Sequence, residues 1–178
     1  MRIISGSAKG RKINSPKGKV RPLRAQVREA LFNILTAYDY SSFLDIFAGT
    51  GAVGLEALSR GYEKAAFIEI SGKNCKLISR NINELGFAKK QTRVIRKNVF
   101  YFLKADFDSD FGFDVVFMGT PYIDDVIEKL FDKLEEIINI VNHGGVLIIQ
   151  IPTSCKIPIP EILKPRKYGG DILLFYHK

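Results

Sequence analysis

Residues 44–54, LDIFAGTGAVG, restrict this chain more than any other stretch. An apolar run carries an acid, Asp45, then a glycine-rich turn follows, and residues 53–58 continue at helical spacing. Strand, glycine turn and helix make a nucleotide-cofactor loop. Glycines let the backbone approach a ligand, and a helix N-terminus presents unpaired N–H groups. Gly49, Gly51 and Gly54 also satisfy the G-x-G-x-x-G spacing of a dinucleotide fold. Asp45 separates the two readings. A carboxylate repels a pyrophosphate, whereas it attracts the ammonium and sulfonium of S-adenosylmethionine. A second strand, 65–70, contains Glu69 near its end, where an acid accepts hydrogen bonds from both ribose hydroxyls. That second acid is common to both cofactors and supports a Rossmann-like fold without choosing between them.

The length of 178 residues suits one domain with one core, and 46% hydrophobic residues indicate a globular chain. No apolar run approaches the roughly 20 residues that span a bilayer. The N-terminal segment lacks the apolar stretch of a signal peptide. Cys75 and Cys155 match no metal spacing, and there are only two histidines. A cytoplasmic protein with free thiols and no metal is therefore expected.

The net charge of +8 is placed unevenly. Arg2, Lys9, Arg11, Lys12, Lys17, Lys19, Arg21, Arg24 and Arg28 all precede the first acid, Glu29. Beyond them stand eighteen basic and nineteen acidic residues, so the whole excess lies in the first 28 positions. A localised cationic block points to a polyanion held through its phosphates. Lys9, Arg11, Lys12, Arg21, Arg24 and Arg28 are the candidate nucleic-acid contacts. Residues 2–4 and 11–13 read as short strands around a Gly/Ser/Lys turn, which predicts a hairpin arm.

A helix is expected over 26–38, with Val27, Leu31, Ile34 and Leu35 on one face. Sheet strands are expected from Phe43, over 65–70, 92–96, 113–118 and 146–151, and finally over 171–176. The 113–118 strand is apolar after Asp114, as a central strand buried on both faces would be. A helix over 73–85 ends at Gly86. Asn98 follows the third strand, where a fold of this kind contacts adenine. Residues 99–103 lead into a loop with Asp106, Asp108 and Asp110. Asp124 or Asp125 caps a helix whose apolar stripe continues to Val141, and His143, Gly144 and Gly145 turn into the fifth strand. Residues 152–165 read as irregular. Strands alternating with helices imply a mostly parallel sheet with right-handed crossovers.

The segments RIISGSAKGRKI, RPLRAQVREALFNIL, LDIFAGTGAVGLEALSRG and IEI together resemble the RsmD-type 16S ribosomal RNA guanine-N2 methyltransferases, from Arg2 to about Tyr176. The resemblance implies a seven-stranded Rossmann-like sheet, mostly parallel with an antiparallel last strand. Residues 1–24 would form a basic RNA-binding arm on a core of residues 25–178. It implies transfer of methyl from S-adenosylmethionine to a guanine N2 in the small ribosomal subunit; a monomer is expected. It also implies that Asp45, Gly49, Thr50, Gly51, Glu69 and Asn98 surround the cofactor.

The family's catalytic motif after the fourth strand reads Asp-Pro-Pro-Tyr or Asp-Pro-Pro-Phe. Here the place is held by Gly119, Thr120, Pro121 and Tyr122. A guanine amine is a weak nucleophile because its lone pair is delocalised into the ring. The motif's acid and the following carbonyl accept its two N–H bonds and stabilise the charge that develops. Tyr122 still stacks on a base, and the Thr120 carbonyl still accepts. Gly119 supplies no acceptor, which by analogy with a lost oxyanion-hole donor costs about 10²–10³ in rate. Three readings stay open: a slow methyltransferase in which the Thr120 hydroxyl or water substitutes; a cofactor-binding RNA or ribosome-assembly factor that does not methylate; and a methyltransferase with another target.

Overall fold

In a computed structural model, residues 1–15, 23–104 and 112–178 are described. Arg21 and the aspartates at 106, 108 and 110 lie outside them. Seven strands form one sheet: β1 (Ser42–Ile46), β2 (Lys64–Glu69), β3 (Thr92–Arg96), β4 (Phe113–Gly119), β5 (Val141–Pro152), β6 (Lys164–Tyr168) and β7 (Asp171–His177). Their order is β3-β2-β1-β4-β5-β7-β6. β1 to β5 pair in parallel, and β7 runs antiparallel to both β5 and β6. The Rossmann-like sheet with an antiparallel last strand is therefore present. β4 lies between β1 and β5, and its residues 115–118 are buried, as its apolar run predicts.

Helices α1 (Ala25–Leu35), α2 (Ala52–Ser59) and α3 (Gly72–Leu85) contribute to a core on one face of the sheet, with Phe32, Leu55 and Ile78 at or below 1% exposure. Helices α4 (Val99–Leu103), α5 (Asp124–Phe131) and α6 (Leu134–Asn139) contribute to the core on the other face.

Two expectations are corrected, and one further helix is found. The stripe from Asp124 to Val141 is two helices, broken at Asp132 and Lys133, and it stops short of Val141, which pairs with Phe113 and opens β5. Sheet hydrogen bonding takes the backbone that a continuous helix would need. The 152–165 segment reaches into β6, whose Pro165 is tolerated because β6 is an exposed edge strand. Residues 99–103 form a helical turn, capped by Asn98 Oδ1, which accepts from Phe100 N at 2.9 Å.

The arm does form a hairpin. Ile3 N donates to Arg11 O, Gly10 N to Ile3 O, and Ile13 N to Met1 O. It is built into the core: Ile3, Ala8 and Ile13 are at most 3% exposed. Its backbone is pinned to α2, with Ile4 N and Ser5 N donating to the two oxygens of Glu56, and Ala8 N to Ser59 Oγ. Gly6 makes the fit possible. It has φ +83°, and a Cβ there would lie 1.7 Å from Ser59 O.

Candidate active site

The carboxyl ends of the parallel strands enclose a cavity of about 570 Å³. Its wall includes Asp45, Gly49, Thr50, Glu69, Gly119, Thr120, Pro121 and Tyr122. Ligands bind at this end of open α/β sheets, and the volume suits a small molecule. Gly51 lies behind the wall as the N-cap of α2, and its φ of +76° lets the loop turn into the helix. Phe47 is the one non-glycine residue with positive φ among the described residues, at +60°. Phe47, Gly49 and Gly51 thus alternate through the left-handed region across the loop. A bulky residue held there marks functional strain of order 1–3 kcal/mol.

Asp45 is 2% exposed, and its Oδ2 accepts from Gly54 N at 2.9 Å. Burial drives its carboxyl up to about 8; the Gly54 N–H bond opposes this and the charge of Glu69 adds to it. An acid so perturbed in a cavity wall marks a place built for a compensating cation. Glu69 ties two loops together, with Oε2 accepting from Gly49 N at 2.9 Å and Oε1 from Ser71 N at 2.8 Å. Each of these oxygens keeps a lone pair for a further donor. Asn98 lies beside a smaller adjoining pocket that shares Phe47, Glu69 and Ile70 with the main cavity.

The candidate RNA residues separate by environment. Lys9 and Lys12 are exposed on the hairpin. Arg11 is held at the C-terminal end of α3, donating to Leu85 O at 2.6 Å and to Glu84 O. Arg24 pairs with Asp171 at 2.7 Å and donates to Tyr168 O. Arg28 is a correction. It is fully buried, 3.5 Å from Glu56 and donating to Arg2 O, so it cannot reach a phosphate. Sequence position alone had grouped it with the surface cations.

At the motif, glycine is not demanded by the backbone. Gly119 has no left-handed φ, and a Cβ there would meet Phe117 at 3.3 Å and Gln150 Oε1 at 3.7 Å. Thr120 is 4% exposed and its hydroxyl donates to Gln150 O at 2.5 Å, so it is turned into β5 rather than offered to a substrate. Tyr122 reaches across the sheet: its hydroxyl donates to Asp171 Oδ1 and accepts from Gln150 Nε2 at 3.0 Å. Burial pushes the Asp171 carboxyl up, but bonds from Tyr122, Arg24 and Gln150 outweigh it and hold the group below its ordinary value.

The model of the family described as "Conserved hypothetical protein 95" matches residues 1–177. Ribosomal RNA small subunit methyltransferase D of Buchnera aphidicola is 37% identical over 137 residues, covering 75% of this chain and 69% of that protein. The chain belongs to the RsmD-type methyltransferase family. The Escherichia coli protein of the same name is 34% identical over 138 residues, covering 76% of this chain and 67% of its own. A Thermus thermophilus structure, hypothetical protein TTHA0928, superposes with a TM-score of 0.85 at 32% identity, covering 99% of this chain and 98% of that one. The match to the RsmD-type family model includes the hairpin arm, consistent with the arm's burial in the core. No described helix is long and apolar enough to cross a membrane.

Several cavity residues carry no motif signal, among them Leu23, Ile70, Asn74 and Ile123. Gln150 did carry one: it is a lone amide in the apolar run 146–151, at the ligand-binding end of a buried strand.

Proposed function

We propose that the chain is an S-adenosylmethionine-dependent ribosomal RNA methyltransferase acting on the exocyclic N2 of a guanine in the small subunit. The observation that carries this is that Asp45, Glu69 and residues 119–122 share one cavity. The donor set fits the cofactor. Asp45 matches its cationic end, Glu69 its ribose hydroxyls, and Asn98 the neighbouring adenine side. When bound, the cofactor would supply a methyl group activated by a sulfonium. The chain's own residues orient the acceptor. Tyr122 stacks on the flipped base, worth about 1–3 kcal/mol, and the Thr120 carbonyl accepts one amine N–H.

The test is transfer of labelled methyl to unmethylated small ribosomal subunits, followed by mapping of the modified base. Label on a guanine N2 is the expected result. Cofactor binding without transfer to any RNA would favour an assembly factor instead.

Lys9 and Lys12 are assigned to phosphate contacts. Because the arm supplies buried residues to the core, its charge is best tested by point changes. Lys9→Ala with Lys12→Ala should weaken RNA binding irrespective of sequence. The slope of log K against log salt should become shallower by about 1.5–2. An unchanged slope in filter-binding titrations would remove these lysines from the interface.

A further inference from the structure

Extending that reading of the site, we infer that the Gln150 side-chain carbonyl replaces the acceptor that Gly119 lacks and receives one N–H of the target guanine amine. In the parallel pairing of β4 and β5, Gly119 is the register partner of Gln150. Paired residues in a sheet project to the same face. The Gln150 side chain therefore occupies the ground nearest to an absent side chain at 119. Its Oε1 lies 3.7 Å from the position of a Cβ on Gly119, and the residue is part of the cavity wall.

The amide cannot rotate freely. Its Nε2 donates to Tyr122 Oη and to Asp171 Oδ1, each at 3.0 Å. A carboxylate only accepts, so the nitrogen is fixed on the Asp171 side and the oxygen on the other. Asp171 is in turn fixed by Arg24, through bonds of 2.7 and 3.1 Å. Among the described residues no donor is bonded to Gln150 Oε1, and although the residue is only 5% exposed this oxygen is not sealed off but keeps access to the cavity that Gln150 lines. The result is a preorganised acceptor, the property that makes such groups effective in a transition state.

In the reaction, the guanine nitrogen lone pair forms a bond to the methyl carbon while the carbon–sulfur pair returns to sulfur, leaving a neutral thioether. The surplus proton on nitrogen leaves to water. Gln150 takes no proton; it holds an N–H and stabilises the positive charge while it exists.

The test uses the full-length protein, unmethylated small subunits and paired oligoribonucleotides with guanosine or inosine at one site. Inosine lacks the 2-amino group. Gln150→Leu should lower kcat for methyl transfer by about 10²-fold, leave cofactor affinity by calorimetry unchanged, and erase an about fivefold tighter binding of the guanosine oligonucleotide than of the inosine one, which has no amine to accept methyl. Adding Gly119→Asp to Gln150→Leu should restore at least tenfold of the rate. Full transfer by Gln150→Leu, or failure of Gly119→Asp to rescue it, overturns the assignment. A wild type that binds cofactor but transfers to no RNA overturns the methyltransferase reading and this assignment together.

Discussion

Asp45→Asn is expected to make the ligand-free protein more stable at pH 8 and at the same time a much weaker binder of its cofactor. The buried carboxyl binds its proton up to about pH 8, against an ordinary value of 3.8. The folded state therefore keeps a proton that the unfolded chain releases. Stability contributed by this group is fully present below about pH 4 and is lost as pH rises towards 8. Asparagine does not titrate, and its side-chain oxygen still accepts from Gly54 N. The gain in stability should be near zero at pH 4 and reach on the order of 3–5 kcal/mol above pH 8. Thermal melts across this range measure it; a constant difference with pH would contradict the buried, protonated acid. Binding should behave oppositely. A cation beside Asp45 favours its ionised form. Wild-type affinity should rise with pH towards 8, and binding should release a proton, read by calorimetry in buffers of different ionisation enthalpy. The Asp45→Asn protein should bind about 10²-fold more weakly, without the proton release.

Glu56→Ala should unfold the arm and much of the core with it. Glu56 is completely buried and accepts from Ile4 N, Ser5 N and Arg60 Nε, at 2.8, 2.9 and 3.0 Å. It also faces Arg28, whose guanidinium is buried and pulled below its ordinary value by desolvation while Glu56 holds it up. Removing the carboxylate strands a buried cation and two backbone donors, at a cost of about 3–5 kcal/mol. Chemical denaturation should show this loss. Replacing Glu56 by Leu and Arg28 by Met together should recover much of it, because no charge is then left unpaired. A single Glu56→Ala change costing less than about 1 kcal/mol would mean that the arm is only loosely docked.

These two residues show what a sequence discloses. Asp45 was readable because its meaning is local: it stands a few residues before its glycine turn, and the strand direction fixes which way the loop faces. Glu56 and Arg28 were not readable, since their partnership depends on the hairpin folding back across α1 and α2. A cation early in a basic run looks the same whether it meets solvent or a buried acid. The end of that helical stripe at Val141 was misplaced for a related reason, as β5 claims Val141 only once β4 lies beside it.

The chain by itself determined the strand–loop–helix cofactor motif, the alternation that makes a parallel sheet, the hairpin and the absence of an acid at Gly119. The first three rest on dihedral preferences and periodicities within a window of a few residues; the missing acid shows only against the motif of the family that the chain resembles. Tertiary structure alone decided which cations remain exposed, and what stands in for the missing acid. Gln150 reaches Gly119 through strand register, and Tyr122 reaches Asp171 across β5, 49 positions away in sequence. Register is set by the packing of the whole sheet, since shifting a strand by one residue would turn its buried face outward.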